Sequence, residues 1–278
     1  MTVLVFTAII FVGAVVAGLL GSLTGLGGGV VIIPLLTLVF KVDIHYAIGA
    51  SLVSVIATSS GAAAAYVKEG ITNIRLGMFL ELATTVGAII GAWMATWLST
   101  SIIAILFGAI LILSAILSFV RLADPAVTGK PGSLSQRLRL NSSFPTAEGE
   151  QPYFVKHVIG GFFMMNIAGI ISGLLGIGSG ALKVIAMDNV MRVPFKVSTT
   201  TSNFMIGVTA AASVGIYLKR GYIDPSLSMP VVLGVLAGAF AGSKILTTAR
   251  TTRLKTLFAF VILVLAAEMI YNGFVHNI

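Results

Sequence analysis

The stretch "GLGGGVVIIP", Gly25 to Pro34, lies in one of the most apolar regions of this chain, and "GIGSGALKVI", Gly176 to Ile185, nearly repeats it 151 residues later. Three consecutive glycines are poor material for a helix interior, where each costs ~1 kcal/mol relative to alanine. Lipid penalises irregular backbone further, because unpaired N–H and C=O groups find no solvent partner in it. A backbone broken twice at such places calls for either a ligand or a packing reason.

Composition settles the class. Of 278 residues, 57% are apolar and 9% charged, with a mean hydropathy of +1.06, whereas a soluble domain carries about 25% charged residues. Apolar runs approaching the ~20 residues that a membrane helix needs recur along the chain, which reads as an all-α polytopic membrane protein. A β-barrel would show ~10-residue alternating segments. The absence of cysteine excludes disulfides, thiolate catalysis and cysteine-ligated metals. A net charge of +8 could suggest nucleic acid, but the basic residues cluster in loops beside apolar spans, the ordinary signal of membrane topology. The opening "MTVLVFTAIIFVGAVVAGLLG" lacks a positive n-region and its apolar run is too long for a signal peptide, so it reads as a retained first helix.

Shifting the chain by 151 residues aligns its halves without a gap. Gly25, Gly27 and Gly29 fall on Gly176, Gly178 and Gly180; Ser51 falls on Ser202, Thr58 on Thr209, and "YVKEG" (66–70) on "YLKRG" (217–221). Further on, Gly87, Ala88 and Gly91 meet Gly238, Ala239 and Gly242. Each half reads as five apolar segments: 3–21, 28–40, 46–67, 76–98 and 101–120, then 154–175, 179–191, 197–218, 227–249 and 254–275. This gives two membrane repeats, 1–121 and 154–278, joined by a linker at 122–153. The linker, rich in proline and poor in large apolar residues, reads as solvated, flexible and cytoplasmic, with a regulatory role open.

An odd number of spans inserts the second copy upside down, and the charges agree. With the N-terminus outside, the inner face collects Lys68, Arg75, Arg121, Lys130, Arg137, Arg139, Lys156, Arg192, Lys196, Arg250, Arg253 and Lys255, and the outer face keeps Lys41, Lys219 and Arg220. Inverted repeats with a site at their interface are a common transporter architecture.

The second segment of each half, about 13 residues, covers ~20 Å as a helix, short of the ~30 Å hydrocarbon core. Such a piece would begin at the glycine loop, part-way through the membrane, and present free N–H groups to an anion. Packing alone explains Gly87, Gly91, Gly238 and Gly242, spaced four apart on helical faces. Three glycines in five positions exceed that need, so Gly25, Gly27, Gly28, Gly29, Gly176, Gly178, Ser179 and Gly180 are candidate ligand contacts.

Lys183, three residues beyond Gly180, places a cation where the helix dipole opposes it, so it requires a negative partner. A substrate anion would serve, as would a salt bridge to Asp188 or Glu81, or snorkelling to an interface. Five hydroxyl residues and an asparagine, Ser198 to Asn203, open the next long segment; capping explains one of them. Thr201, Ser202 and Asn203, with Ser51 from the first copy, are further candidate donors to an oxyanion. Glu81 and Glu268, inside apolar segments, are candidate proton carriers.

The "GLGGGVVIIPLL" loop, its copy at Gly176, the "YVKEG" turn and the five-plus-five layout resemble the TauE/SafE sulfite exporter family, also known as toluene sulfonate uptake permeases. The resemblance covers nearly the whole chain apart from the linker. It implies transport of sulfur-containing anions such as sulfite, thiosulfate or organosulfonates across the cell membrane. The residues themselves read as secondary transport by alternating access between inverted halves, with no cofactor, no metal-binding spacing such as H-E-x-x-H, and protons as a coupling ion to be considered on account of Glu81 and Glu268. The second loop departs from the family's glycine-proline pattern in having Ser179, Lys183 and Asp188 and no proline, which adds a hydroxyl and a positive charge. An anion channel, or a permease for another oxyanion or carboxylate, stays open. An intramembrane serine enzyme is disfavoured because His45, His157 and His276 all lie at segment ends.

Overall fold

The chain is largely a succession of helices, arranged in the same order in each half. The computed structural model describes residues 3–24, 28–68, 70–119, 133–146, 149–246 and 251–275. Gly25, Gly27, Arg121, Lys130, Arg250 and His276 lie outside these residues. In the first half, α1 (Val3–Thr24) is followed across the loop by α2 (Gly29–Pro34), then α3 (Ile44–Lys68), α4 (Ile74–Ala95) and α5 (Thr100–Phe119). A short α6 (Ser133–Arg137) and a hairpin, β1 (Ser142–Thr146) and β2 (Gly149–Tyr153), lead to the second half. There the order repeats as α7 (Val158–Leu175), α8 (Gly180–Ile185), α9 (Phe195–Lys219), α10 (Pro225–Leu246) and α11 (Thr251–Val275).

The duplication reaches into the backbone. α2 and α8 each run on into a single π turn, Leu35–Val39 and Ala186–Val190. The wide hydrogen bonds closing those turns, Phe40 N–H to Leu35 and Val42 N–H to Leu36, recur 151 residues on as Met191 to Ala186 and Val193 to Met187. Each turn ends on a left-handed residue, Lys41 or Arg192, and the glycines ending α3 and α9, Gly70 and Gly221, are left-handed too.

Helix packing is unchanged when the halves are exchanged. α1 packs on α10 as α7 packs on α4, while α3 packs on α9 and α5 on α11. Glycines let the backbones touch. A methyl at Gly18 would meet the Val235 carbonyl and one at Gly169 the Thr84 carbonyl; Gly238 meets Val15 as Gly87 meets Asn166. Each of these contacts is the 151-residue image of the other, in keeping with the small-residue packing of membrane helices. The contacts also fix direction. Gly169 lies beside Thr84 and Gly173 beside Ala88, so α4 and α7 run parallel; Gly108 meets Ala266 and Gly273 meets Ser101, so α5 and α11 run antiparallel.

Large apolar side chains face outward. α4 buries Gly77, Leu80, Glu81, Ala83, Thr84, Gly87 and Ala88, and exposes Met78, Leu82, Val86 and Trp93. α7 likewise exposes Ile159, Phe163 and Ile167. An apolar exterior over small and polar interior faces is what a lipid solvent selects. Among the described residues, α4, α7 and α9 are long and apolar enough to cross a membrane by length and composition, and six shorter apolar helices accompany them.

The connection between the halves holds more order than its composition suggests. β1 and β2 pair antiparallel, and Leu140 and Tyr153 are buried against Leu76, Leu80, Met187 and Val193. Asn73, the N-cap of α4, accepts from Leu76 N–H at 3.0 Å. Its amide nitrogen donates to the Leu140 carbonyl at 2.9 Å and to the Tyr153 hydroxyl at 2.7 Å. Burial pushes that Tyr153 hydroxyl up to about 12, so it stays protonated at neutral pH.

Candidate functional site

The second glycine loop leaves α7 through three left-handed residues, Gly176 (φ 67°), Gly178 (φ 72°) and Ser179 (φ 45°). Glycine reaches this region without strain, whereas a serine there is held by its surroundings. The turn delivers the chain into α8, and the Lys183 N–H closes onto the Ser179 carbonyl at 3.1 Å. The Lys183 side chain is 0% exposed. Its Nζ donates to Thr209 Oγ1 at 2.6 Å. Thr209 in turn lies 2.8 Å from Glu81 Oε1, with the Met205 carbonyl as a competing acceptor at 2.9 Å. Thr85 adds a longer bond to the same carboxylate oxygen.

An ammonium, a hydroxyl and a carboxylate are thus threaded from α8 through α9 to α4. Taking two charges out of water is costly, and each depends on the other to offset that cost. The thread leaves capacity unspent. The Lys183 ammonium has three N–H donors and makes one hydrogen bond among the described residues. Glu81 Oε2 and Ser179 Oγ are buried with no hydrogen-bond partner among the described residues.

The two copies differ sharply here. Under the 151-residue shift, Lys183, Thr209 and Glu81 correspond to Ile32, Thr58 and Val232. Both charges are present in one arrangement and both are absent from the other. Of the partners considered for Lys183 from sequence, the structure therefore joins it to Glu81; Asp188 lies buried on the π turn that follows.

The first loop reaches the same place. Ser51 Oγ donates to the Gly176 carbonyl at 2.8 Å, and a methyl on Gly29 would press against Ser51 and approach that carbonyl to 3.2 Å. Ser202, the repeat mate of Ser51, donates to the Gly180 carbonyl at 3.1 Å. Gly29, Ser51, Gly176, Ser179, Gly180, Lys183 and Ser202 are thereby gathered at one junction. Gly178 packs against Val55 and Ile206, and Gly28 against Val235 and Gly18. Thr201 accepts from the Asn73 N–H at 3.1 Å and so belongs to the hairpin contact. Asn203 is half-buried. Ser198, Thr199 and Thr200 direct their hydroxyls to carbonyls of the preceding turn or loop. Glu268 sits on an exposed face of α11 and makes none of the bonds in the Lys183 thread.

Sequence reasoning passed over Thr209, which stood out only as the repeat mate of Thr58. The signal was present. Ser198, Ser202, Thr209 and Ser213 are all buried and fall on one face of α9, at helical spacings of four, seven and four.

Away from this junction, His45 meets Asp43 at 3.0 Å and the Ala95 carbonyl at 3.1 Å, and its ring stacks on Tyr222. Both ring nitrogens face acceptors, a demand the imidazolium satisfies. The His45 hydrogen bond holds the Asp43 carboxyl below the usual carboxylate range.

Comparison with known proteins gives a consistent result. The family model described as Sulfite exporter TauE/SafE matches residues 10–269. The chain is 27% identical over 273 residues to "Probable membrane transporter protein YunE" of Bacillus subtilis (strain 168), covering 95% of this chain and 97% of that one. It is 28% identical over 228 residues to "Probable membrane transporter protein YdhB" of the same organism, covering 82% and 85%. A "Probable membrane transporter protein" of Xylella fastidiosa (strain 9a5c) is 24% identical over 264 residues, 94% of this chain and 93% of its own length. No solved structure matches.

Proposed function

This chain belongs to the TauE/SafE sulfite exporter family, and from that premise we propose that it is a secondary transporter exporting a small sulfur oxyanion or sulfonate, with Lys183 as the anion's principal partner. The observation that carries the reading is a fully buried ammonium with donors to spare, one helical turn along the chain from a buried serine hydroxyl that makes no hydrogen bond among the described residues. A cation at membrane depth, one turn from a glycine break, is a functional site by default. Export is the direction in the family's description.

The architecture we infer is ten membrane segments in two inverted repeats, with the N-terminus outside and the 122–153 connection in the cytoplasm. Supporting it are the exchange-symmetric packing, the antiparallel run of the repeat mates α5 and α11, and the twelve-to-three division of basic residues. Lys183 is sealed from solvent, so an anion reaches it only when the helices around it part. Alternating access of one half against the other supplies that opening.

The test is a thermal-shift screen of purified protein against sulfite, thiosulfate, sulfate, organosulfonates and halides. A ligand at a hundred times its Kd adds about 2.7 kcal/mol to stability, so a sulfur anion should raise the melting temperature measurably. Lys183→Met should stay folded and lose that shift. Equal shifts in both proteins would remove Lys183 from the site, and a response to halides alone would point to a different anion.

A further inference from the structure

We propose that Glu81 is the resident counter-ion of Lys183, held through Thr209, and that the substrate anion displaces it while a proton neutralises it. The inference rests on the anion reading of Lys183 and adds the means of coupling. Its ground is the three-residue thread: Lys183 Nζ to Thr209 at 2.6 Å and Thr209 to Glu81 at 2.8 Å, with both charged ends buried. In the repeat copy the same three places hold Ile32, Thr58 and Val232, so the hydroxyl is common to both halves and the two charges come and go together.

When an anion takes the ammonium, the carboxylate would stand buried, unpartnered and next to a second negative charge. Such an uncompensated charge is the costly outcome in a low-dielectric interior. A proton on Glu81 removes it, giving a carboxylic acid and an anion–ammonium pair. The other ionisable groups on and around α4 are few, and α4 itself adds Arg75 in its first turn. α7, packed on α4, contributes no titratable side chain; α9 contributes Lys196, Tyr217 and Lys219 near its ends; α8 contributes Lys183; and Asp188 follows on the π turn. Thr209 is the positioning residue. It accepts from Lys183 and donates to whichever negative group lies opposite. Anion and proton then move in the same direction, and the sum of their gradients sets the net flux.

The experiment measures thiosulfate binding to the purified full-length protein by calorimetry between about pH 5.5 and 8.5. Thiosulfate stays ionised across this range, whereas sulfite takes up a proton near neutrality. Wild-type affinity should weaken with rising pH, approaching about tenfold per unit where one proton accompanies each anion. Glu81→Gln should bind as tightly as the acidic wild type and without slope. Thr209→Val should alter the pH profile and Thr209→Ser restore it. A wild type that binds neither thiosulfate nor an organosulfonate, which also stays ionised across this range, overturns the anion site and this proposal together. A pH-independent wild type, or a wild-type slope in Glu81→Gln, overturns this proposal alone.

A second measurement needs no ligand. Glu81→Val and Lys183→Ile should each lower the melting temperature, and the double variant, which copies the repeat-related arrangement of Ile32, Thr58 and Val232, should recover much of the loss. Additive losses would contradict the pairing.

Discussion

Ser179 combines a left-handed backbone with a buried hydroxyl that makes no hydrogen bond, and its counterpart in the first half is Gly28. A non-glycine residue in that conformation costs roughly 1–2 kcal/mol, and an unpartnered buried hydroxyl adds to the cost. Structure alone gives no return for it. Ser179→Gly should therefore raise unfolding stability by about 1 kcal/mol, after allowing for the greater freedom of unfolded glycine. If the hydroxyl contacts the anion, the same change should weaken thiosulfate binding several-fold, a trade of stability against function. Chemical unfolding in detergent and calorimetry on the same preparation read the two effects. A less stable variant with unchanged affinity would assign Ser179 to the fold. At this scale, the residue types at the site were legible because a lysine, a glutamate and a serine stand out from apolar surroundings. Their pairing was legible only as one alternative, Glu81 or Asp188, and the link through Thr209 was not, because Glu81 and Lys183 are 102 positions apart and are joined by a threonine, a residue ordinary enough in membrane helices to pass as back-bonding to its own turn.

Helices, loops and turns follow their local chemistry closely. The apolar runs gave the long helices to within a few residues, and the glycines gave the break at Gly176–Ser179; Gly25 and Gly27 lie outside the described residues. The hairpin was hidden by its prolines. Pro145 and Pro152 lie within "SSFPTAEGEQPY", and proline normally marks a loop or an edge. A two-stranded ribbon is all edge, so both are accommodated, opposite Glu150 and Ser143. Only the tertiary contact explains why the ribbon stays put: Asn73 caps α4 and at the same time binds the Leu140 carbonyl and the Tyr153 hydroxyl. Asn73→Ala removes all three bonds and should cost about 1–3 kcal/mol. Limited proteolysis should then cut between residues 133 and 153 faster than in the wild type, whereas Tyr153→Phe, which loses one bond, should show a smaller effect. Unchanged cleavage would mean that the apolar contacts of Leu140 and Tyr153 hold the hairpin unaided.

The whole molecule is an exchange-symmetric frame around an asymmetric site. Backbone turns, glycine contacts and helix pairings recur at a 151-residue offset, yet the buried charges occupy one copy of their position. On the proposed reading, symmetry would supply the two arrangements of near-equal packing that alternating access requires, and asymmetry would give the substrate one place to bind. The duplication was readable from sequence because glycines and loop residues align without a gap. Which faces meet was not, since that depends on backbones touching at Gly18, Gly87, Gly169 and Gly238. The most direct test of Lys183 as the anion's partner in transport is flux in proteoliposomes that contain the purified protein and are supplied with radiolabelled thiosulfate. Wild-type vesicles should accumulate the anion above its outside concentration when the outside is made acidic, and Lys183→Met vesicles should stay at the level of empty ones. Transport by Lys183→Met at the wild-type rate would contradict the account.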